Sequence, residues 1–155
     1  MKKENTKKER TISLIKEGTV IDHIDSDAVF KIVRILDLEN SKNQVTIGVN
    51  MRSKQIGNKG IIKIESRYLS KEDVDKISLF SPHATINHIK DYEVEKKHKV
   101  ELPEEIDRVL KCNNPNCVTN LEGAPTKFVL HKKEPLTYIC RYCERRMLKE
   151  DIELF

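Results

Sequence analysis

Four cysteines, all in the last third of the chain, arrive as two close pairs, in "KCNNPNC" (Lys111 to Cys117) and "ICRYC" (Ile139 to Cys143). The spacing is C-x4-C, twenty-two intervening residues, then C-x2-C. Each pair brings two thiolates to one point through a tight turn, and two such pairs complete a tetrahedral set of four sulfurs that suits Zn2+. Asn113, Asn114, Pro115 and Asn116 supply the turn chemistry of the first pair. Lys111, Arg141, Arg145 and Arg146 adjoin the thiolates and would offset the charge of about −2 that four thiolates leave on a divalent ion. Two disulfides, or a redox Cys-x-x-Cys at "CRYC", are the alternatives. Disulfides fit a reducing compartment poorly, and a redox pair leaves the first two cysteines without a purpose. No His, Asp or Glu is offered in place of a cysteine with an open position beside it. Cys112, Cys117, Cys140 and Cys143 therefore read as a closed, structural zinc site.

The chain has 155 residues, room for one domain or two small ones. Charged residues make up 35% and hydrophobic residues 37%, enough apolar material for a modest core. The net charge of +4 suits an anionic small ligand or an acidic protein surface and argues only weakly for nucleic acid. The opening "MKKENTKKER" lacks the apolar centre of a signal peptide, and no apolar run reaches membrane-span length. The expectation is a soluble, cytoplasmic protein.

Upstream of the cysteines the pattern changes from strand to helix and back. "GTVIDHI" (Gly18 to Ile24) reads as a strand, after which Asp25 or Ser26 caps a helix with Val29, Phe30, Val33 and Leu36 on one side. "ENSKN" is a loop. "QVTIGVNM" (Gln44 to Met51) alternates, with Val45, Ile47, Val49 and Met51 on one face; "RSKQIGNKG" is a loop and "GIIKIE" (Gly60 to Glu65) a strand. Ser70 and Asp73 form a capping box for a helix carrying Val74, Ile77 and Phe80, which Pro82 ends. "ATINHI" is a strand and "DYEVEKKHKV" an edge strand. The order β-α-β-β-α-β predicts an α+β fold, a ferredoxin-like α/β sandwich over roughly residues 12 to 98. "ELPEEIDRVLK" joins it to a small β-rich zinc-binding domain with strands in "KFVLHKK", "LTYICRYC" and "LKEDIELF". About 50 residues bury too little surface to fold alone, so the metal supplies the missing stability. The predicted boundaries are a basic arm over 1–11, a ferredoxin-like domain over 12–99 and a zinc domain over 100–155.

A catalytic constellation is not legible: the chain has no P-loop, no G-x-G-x-x-G and no G-x-S-x-G. His23, His83, His88, His98 and His131 do not fall in metal-ligand spacing. Asp22 and His23 are adjacent strand residues that point to opposite faces, so ordinary strand-end polarity is the favoured reading on spacing alone. On "GIIKIE", Ile62 and Ile64 face the core while Ile61 and Lys63 face away, onto the helix-free side of the sheet. Lys59 and Lys63 then flank an apolar residue, with Lys96, Lys97 and Lys99 on a neighbouring strand. Lysines around apolar side chains suit a phosphate-bearing ligand with a flat base. Spacing alone leaves a solvated charged face as the favoured alternative.

Taken together, "GTVIDHI", "TIGVNM", "IKIE", "YLSKEDVDKI", "PHATINHIKDYEV", "LPEEIDRVLKC" and the cysteine set resemble the regulatory chain of aspartate carbamoyltransferase, over nearly the whole chain from Ile12 onward. The resemblance implies a non-catalytic subunit with a ferredoxin-like allosteric domain and a structural zinc domain. It implies nucleoside triphosphate effectors, CTP and ATP with UTP acting beside CTP, and Mg2+ as the ion that accompanies them. It implies a regulatory-chain dimer, and assembly with the catalytic chain in a particle of six catalytic and six regulatory chains. By position, Asp22 matches a ribose contact, His23 lies beside the phosphates, Lys63 matches a ribose and phosphate ligand, Lys97 a triphosphate ligand, and Lys59 a lysine near a second nucleotide. Ile15 and Tyr92 match positions whose backbone reads the base, and Ile61, Asn87, Ile89 and Val94 match pocket-lining positions. Asn114, Asn116, Tyr142 and Glu144 match residues facing the catalytic chain. Ser13 stands where better-known members carry an acid, Asn58 where they carry a basic residue, and the zinc domain is one residue shorter between its cysteine pairs. The resemblance therefore implies nucleotide binding without fixing which nucleotide inhibits and which activates.

Rival readings of the same architecture are a nucleic-acid-binding zinc ribbon, a redox or metal-storage protein, and an amino-acid sensor on a ferredoxin-like fold. RNA-binding sheets of this shape stack bases on exposed aromatics, and "TIGVNM" and "IKIE" have none.

Overall fold

The computed structural model describes residues 14–54 and 57–155. The chain divides into two compact units, the first ending at Val100 and the second beginning at Glu101. The predicted basic arm and Ser13 lie outside the described residues.

The first unit is an antiparallel five-stranded sheet. Its strands are β1 (Gly18–Asp25), β2 (Val45–Ser53), β3 (Gly57–Glu65), β4 (Thr85–Lys90) and β5 (Glu93–Lys99), in the order β2-β3-β1-β4-β5. Two helices complete the ferredoxin-like order, α1 (Val29–Ile35), entered through a 3-10 turn at Ser26–Ala28, and α2 (Lys71–Phe80). Period-two alternation puts Ile21, Ile62, Ile64 and Ile86 on one sheet face, and none of the four has measurable exposure. The helices pack on that face. At Gly60 the approach is so close that an added Cβ would collide with Cγ2 of Val29, which is why α1 settles over a glycine. The Lys31 ammonium lies 4.6 Å from the Phe80 ring and ties α1 to α2. Ser70 caps α2 as its sequence predicts: its hydroxyl accepts from the Asp73 N–H, and the Asp73 carboxylate accepts from the Ser70 N–H.

Three expectations are corrected. Phe30 is 59% exposed, and Ile32 takes its place on the buried stripe with Val29, Val33 and Leu36. The spacing i, i+3, i+4, i+7 closes one helical face, whereas Phe30 lies one residue off it. Strict alternation fails along β2, where the register to β3 shifts between Gly48 and Met51 and Asn50 takes a left-handed φ of 56°. Most of "RSKQIGNKG" is strand, because β2 and β3 extend as a hairpin as far as the Ser53–Gly57 pair.

The second unit holds a four-stranded sheet of β6 (Glu105–Asp107), β8 (Lys127–Lys132), β9 (Thr137–Cys140) and β10 (Arg146–Leu148), ordered β10-β9-β8-β6. Beside it β7 (Leu110–Lys111) pairs with β11 (Glu153–Leu154), and a single turn of helix, α3 (Val118–Leu121), follows Cys117. The segment "ELPEEIDRVLK" is thus more than a connector, since it contributes both β6 and β7. Ile106, Leu110, Phe128, Tyr138 and Met147 make a small core. The Tyr138 hydroxyl, buried with its ring, donates to the Pro103 carbonyl at 2.8 Å.

Candidate metal centre and ligand face

The two cysteine turns meet at one point. All four sulfurs lie within 4.8 Å of one another, with Cys112 Sγ 3.6 Å from Cys143 Sγ and Cys117 Sγ 3.8 Å from Cys140 Sγ. A disulfide would need sulfurs about 2 Å apart. Four sulfurs at roughly 2.3 Å from a central ion stand about 3.8 Å apart along the tetrahedron's edges, so the donor set fits a tetrahedral metal. The turns are built locally. The Cys117 N–H donates to the Asn114 carbonyl, the Asn116 N–H to Asn114 Oδ1, and the Asn120 side-chain amide to the carbonyls of Cys112 and Asn114. In the second turn the Glu144 N–H donates to the Cys140 carbonyl and Glu144 takes a φ of 60°. The Thr119 hydroxyl donates to Cys117 Sγ at 3.2 Å, a partner to the metal ligand that the spacing did not suggest.

Burial pushes the Cys112 thiol up to about 12 and raises Cys140 as well. Cys143, the one half-buried member, also meets a desolvation cost, but the Arg145 N–H and the Asn114 side chain outweigh it and bring it down to about 7. Buried thiols in such proximity are costly to ionise without a cation, and a divalent metal removes that cost. Two of the cations expected to offset the thiolates have carboxylate partners instead: Lys111 faces Glu153 at 3.5 Å and Arg141 faces Glu105 at 3.4 Å. Both residues lie at the solvent-exposed surface. Asn116, Tyr142 and Glu144 are exposed around the two turns, with Asn114 half-buried between them.

In the first unit, cross-strand register sets a row of side chains on the helix-free face: Thr46, Lys63, Val20, Asn87 and Lys97, each paired with the next across β2, β3, β1, β4 and β5. Lys63 is only 9% exposed and Asn87 8%. Burial lowers the pKa of Lys63, and the nearby Asp22 carboxylate resists that fall. Asp22 makes an ion pair with Lys59 at 2.8 Å. Burial raises its carboxyl, but hydrogen bonds from Lys59 and the His23 N–H, with the Lys59 charge, leave it net below its ordinary value. Ile61 is buried on this face, Ile89 is buried and pairs with the exposed Val94, and Ile15 is buried in the segment before β1. The exposed Tyr92 sits at the β4–β5 turn with a φ of 66°, its N–H bonded to the Lys16 carbonyl at 2.9 Å. Asn58 pairs with Arg52 and is exposed.

Asp22 and His23 do not simply alternate. The register of β1 against β3 shifts between Ile21 and Ile24, and His23 takes a φ of 54°. Two residues there oppose one, a bulge that returns Ile24 to the core. The His23 ring nitrogen Nδ1 lies 3.1 Å from Thr85 Oγ1, and Thr85 pairs with Asp22. The bulge therefore brings both side chains toward the edge of the Lys63–Asn87 row, against the expectation of opposite faces. The lysines of β5 divide: Lys97 and Lys99 pair with Asn87 and Thr85, while Lys96 pairs with His88 on the helix side.

Both units match known families. The aspartate carbamoyltransferase regulatory chain is matched by its allosteric domain over residues 10–101 and by its metal binding domain over residues 104–153. The chain belongs to the aspartate carbamoyltransferase regulatory chain family. The regulatory chain of Pyrococcus abyssi is 49% identical over 146 residues, covering 93% of this chain and 96% of the relative. That of Phocaeicola vulgatus is 42% identical over 154 residues, covering 99% of each. That of Thermococcus onnurineus is 46% identical over 145 residues, covering 93% of this chain and 96% of the relative. The first unit of this regulatory chain is its allosteric domain and the second its metal-binding domain. Among the described residues no helix is long and apolar enough to cross a membrane.

Proposed function

We propose that this regulatory chain is a non-catalytic cytoplasmic subunit that binds nucleoside triphosphates on the helix-free face of its allosteric domain. There it would answer to CTP, ATP and, beside CTP, UTP. It would join catalytic trimers through its metal-binding domain into a particle of six catalytic and six regulatory chains. The observation that carries the ligand site is the desolvated Lys63 beside Asn87, with Lys97 at the end of the same row and the Asp22–Lys59 pair next to it. A buried ammonium held next to one carboxylate suits a polyphosphate, which supplies several acceptor oxygens, and the neighbouring Asp22 suits a ribose hydroxyl. Lys63 holds ribose and phosphate, Lys97 holds the triphosphate with His23 beside it, and Lys59 lies near a second nucleotide. Ile15 and Tyr92 offer backbone groups to the base, and Ile61, Asn87, Ile89 and Val94 wall it. Mg2+ would enter with the triphosphate. The bound Zn2+ would supply the tetrahedral bond set that fixes the two cysteine turns, and these turns would present Asn114, Asn116, Tyr142 and Glu144 to the catalytic chain.

Regulation then follows from linkage. A nucleotide that binds one quaternary state better shifts the population by its differential affinity and no more. Sedimentation of the zinc-loaded chain with and without the catalytic trimer from the same source tests the assembly. A species near the mass of six plus six chains, lost when a mercurial strips the metal, is the expected result. Two folded, metal-replete proteins that sediment separately would remove the partner from this reading.

A further inference from the structure

On the helix side of the allosteric sheet, three rings stack in a line. Tyr68 and His88 lie 5.5 Å apart at an interplanar angle of 7°, and His88 and His98 lie 5.8 Å apart at 26°. These separations are within the range of favourable offset stacking. The stack joins three segments. Tyr68 comes from the loop before α2 and its hydroxyl donates to the Ile89 carbonyl of β4 at 2.9 Å. His88 is on β4 and His98 on β5, where His98 pairs with Ile86 and Lys96 pairs with His88. β5 needs such a contact, because it is an edge strand on which every residue is exposed. Asn87 and Lys97, the neighbours of these histidines in sequence, point to the opposite face, in the row assigned above to the effector.

We propose that the Tyr68–His88–His98 stack is a proton-sensitive clasp that holds β5 on β4 when the imidazoles are neutral and loosens it on acidification, withdrawing Lys97 from the effector face. The idea rests on the reading of that face as the effector site. The charged groups acting on the middle ring are His98 and Lys96 on β5, which oppose a proton, and Glu95, which favours one. On the β1 side His88 pairs with the uncharged Thr19, whose hydroxyl donates to the Arg67 carbonyl. The Arg67 guanidinium itself is directed to the Leu36 carbonyl and to Asp73. Burial, then His98 and Lys96, depress the His88 pKa against the weaker pull of Glu95. The sign follows. A base with a lowered folded-state pKa binds fewer protons folded than unfolded, so its packing is intact above the ordinary histidine range and weakens as pH falls through it.

The test uses the full zinc-loaded chain and His98→Phe, which keeps a ring in the stack and removes the imidazole beside His88 at an exposed position. Amide exchange of Lys96–Lys99, corrected for intrinsic rates, is compared between about pH 7.5 and about pH 5.5, where histidine titrates. CTP affinity is measured by calorimetry at the same two pH values. The wild-type chain is expected to lose β5 protection on acidification and His98→Phe to lose less of it, because burial and Lys96 still act on His88 in the variant. Acidification should also weaken CTP binding more in wild type than in the variant. Taking the wild-type-to-variant ratio removes the nucleotide's own protonation. Equal exchange behaviour in the two proteins would overturn the clasp, as would equal loss of CTP affinity. If neither protein binds CTP at about pH 7.5 the effector reading fails, and the exchange arm alone then decides whether the stack is a clasp.

Discussion

The allosteric unit and the metal-binding unit bury side chains of different kinds. The first seals one sheet face with Ile21, Ile62, Ile64 and Ile86 under two helices, and only then buries a lysine and an asparagine on the other. The second, beginning at Glu101, has a core of a few side chains, Leu110, Phe128, Tyr138 and Met147 chief among them, and places three fully buried cysteines beside it. A unit of about fifty residues leaves too large a fraction of its surface in water to stand on apolar burial, and a metal closes the deficit. The larger unit has a surplus, and a surplus lets a sheet face carry desolvated charge. The comparison teaches that Lys63 and the four sulfurs are two answers to one constraint, the amount of apolar surface a unit can remove from water.

The sharpest way to break the comparison is to remove one sulfur. Cys117→Ser is expected to leave the second unit unfolded, since apparent metal-binding energies of about 10–16 kcal/mol stand behind such small folds. Bound metal should fall to near zero, and limited proteolysis should strip the chain back to the boundary near Val100 while the first unit keeps its amide protection. A protected second unit without metal would show that its own core suffices. Next in size, Ile62→Ala should cost the first unit about 3–4 kcal/mol and leave metal content unchanged, read by denaturant melts alongside metal analysis. Loss of metal in that variant would mean the two cores are coupled. Ser70→Ala, which removes the α2 cap, should cost about 1 kcal/mol, again in the first unit alone. The smallest effect is expected of Asp22→Asn, about 1 kcal/mol or less, because the Lys59 pair is partly solvated. Its sign is set by the net depressed pKa of Asp22. The contribution is present above the ordinary carboxylate value and is lost as pH falls through the lower folded one, so the variant should show a flatter acid limb of stability.

Much of this was legible in the sequence for a physical reason. Cysteine spacing carries its geometry with it, and the capping box of Ser70 and Asp73 is local, so both read directly. The alternation of Ile61, Ile62, Lys63 and Ile64 placed the two faces of β3 correctly, because an unbroken strand keeps phase. Phase was lost at the bulges. At His23 one extra residue moved the ring toward Thr85, and at Asn50 another blurred β2; neither turned residue is a glycine, although His and Asn are among the other types that take positive φ most often. Phe30 misled because a helix of seven residues tolerates an apolar side chain one position off its buried stripe. Thr119 was missed because a donor to a sulfur two residues away depends on the turn taken by Cys117, which the pattern of residue types does not encode.

The outermost strand bears on how chains of this kind behave when many are present together. An unpaired strand edge is a template on which another chain can lay its own backbone, and natural sheets discourage that with lysines. β5 offers "EVEKKHK", exposed along its whole length, with four cationic or titratable side chains in the last four positions. Any strand approaching that edge in register with a copy of itself would set lysine against lysine. Two of these, Lys97 and Lys99, also lend positive charge to the helix-free face, so neutralising them would remove part of a guard rail against polymerisation and open the sheet to its neighbours.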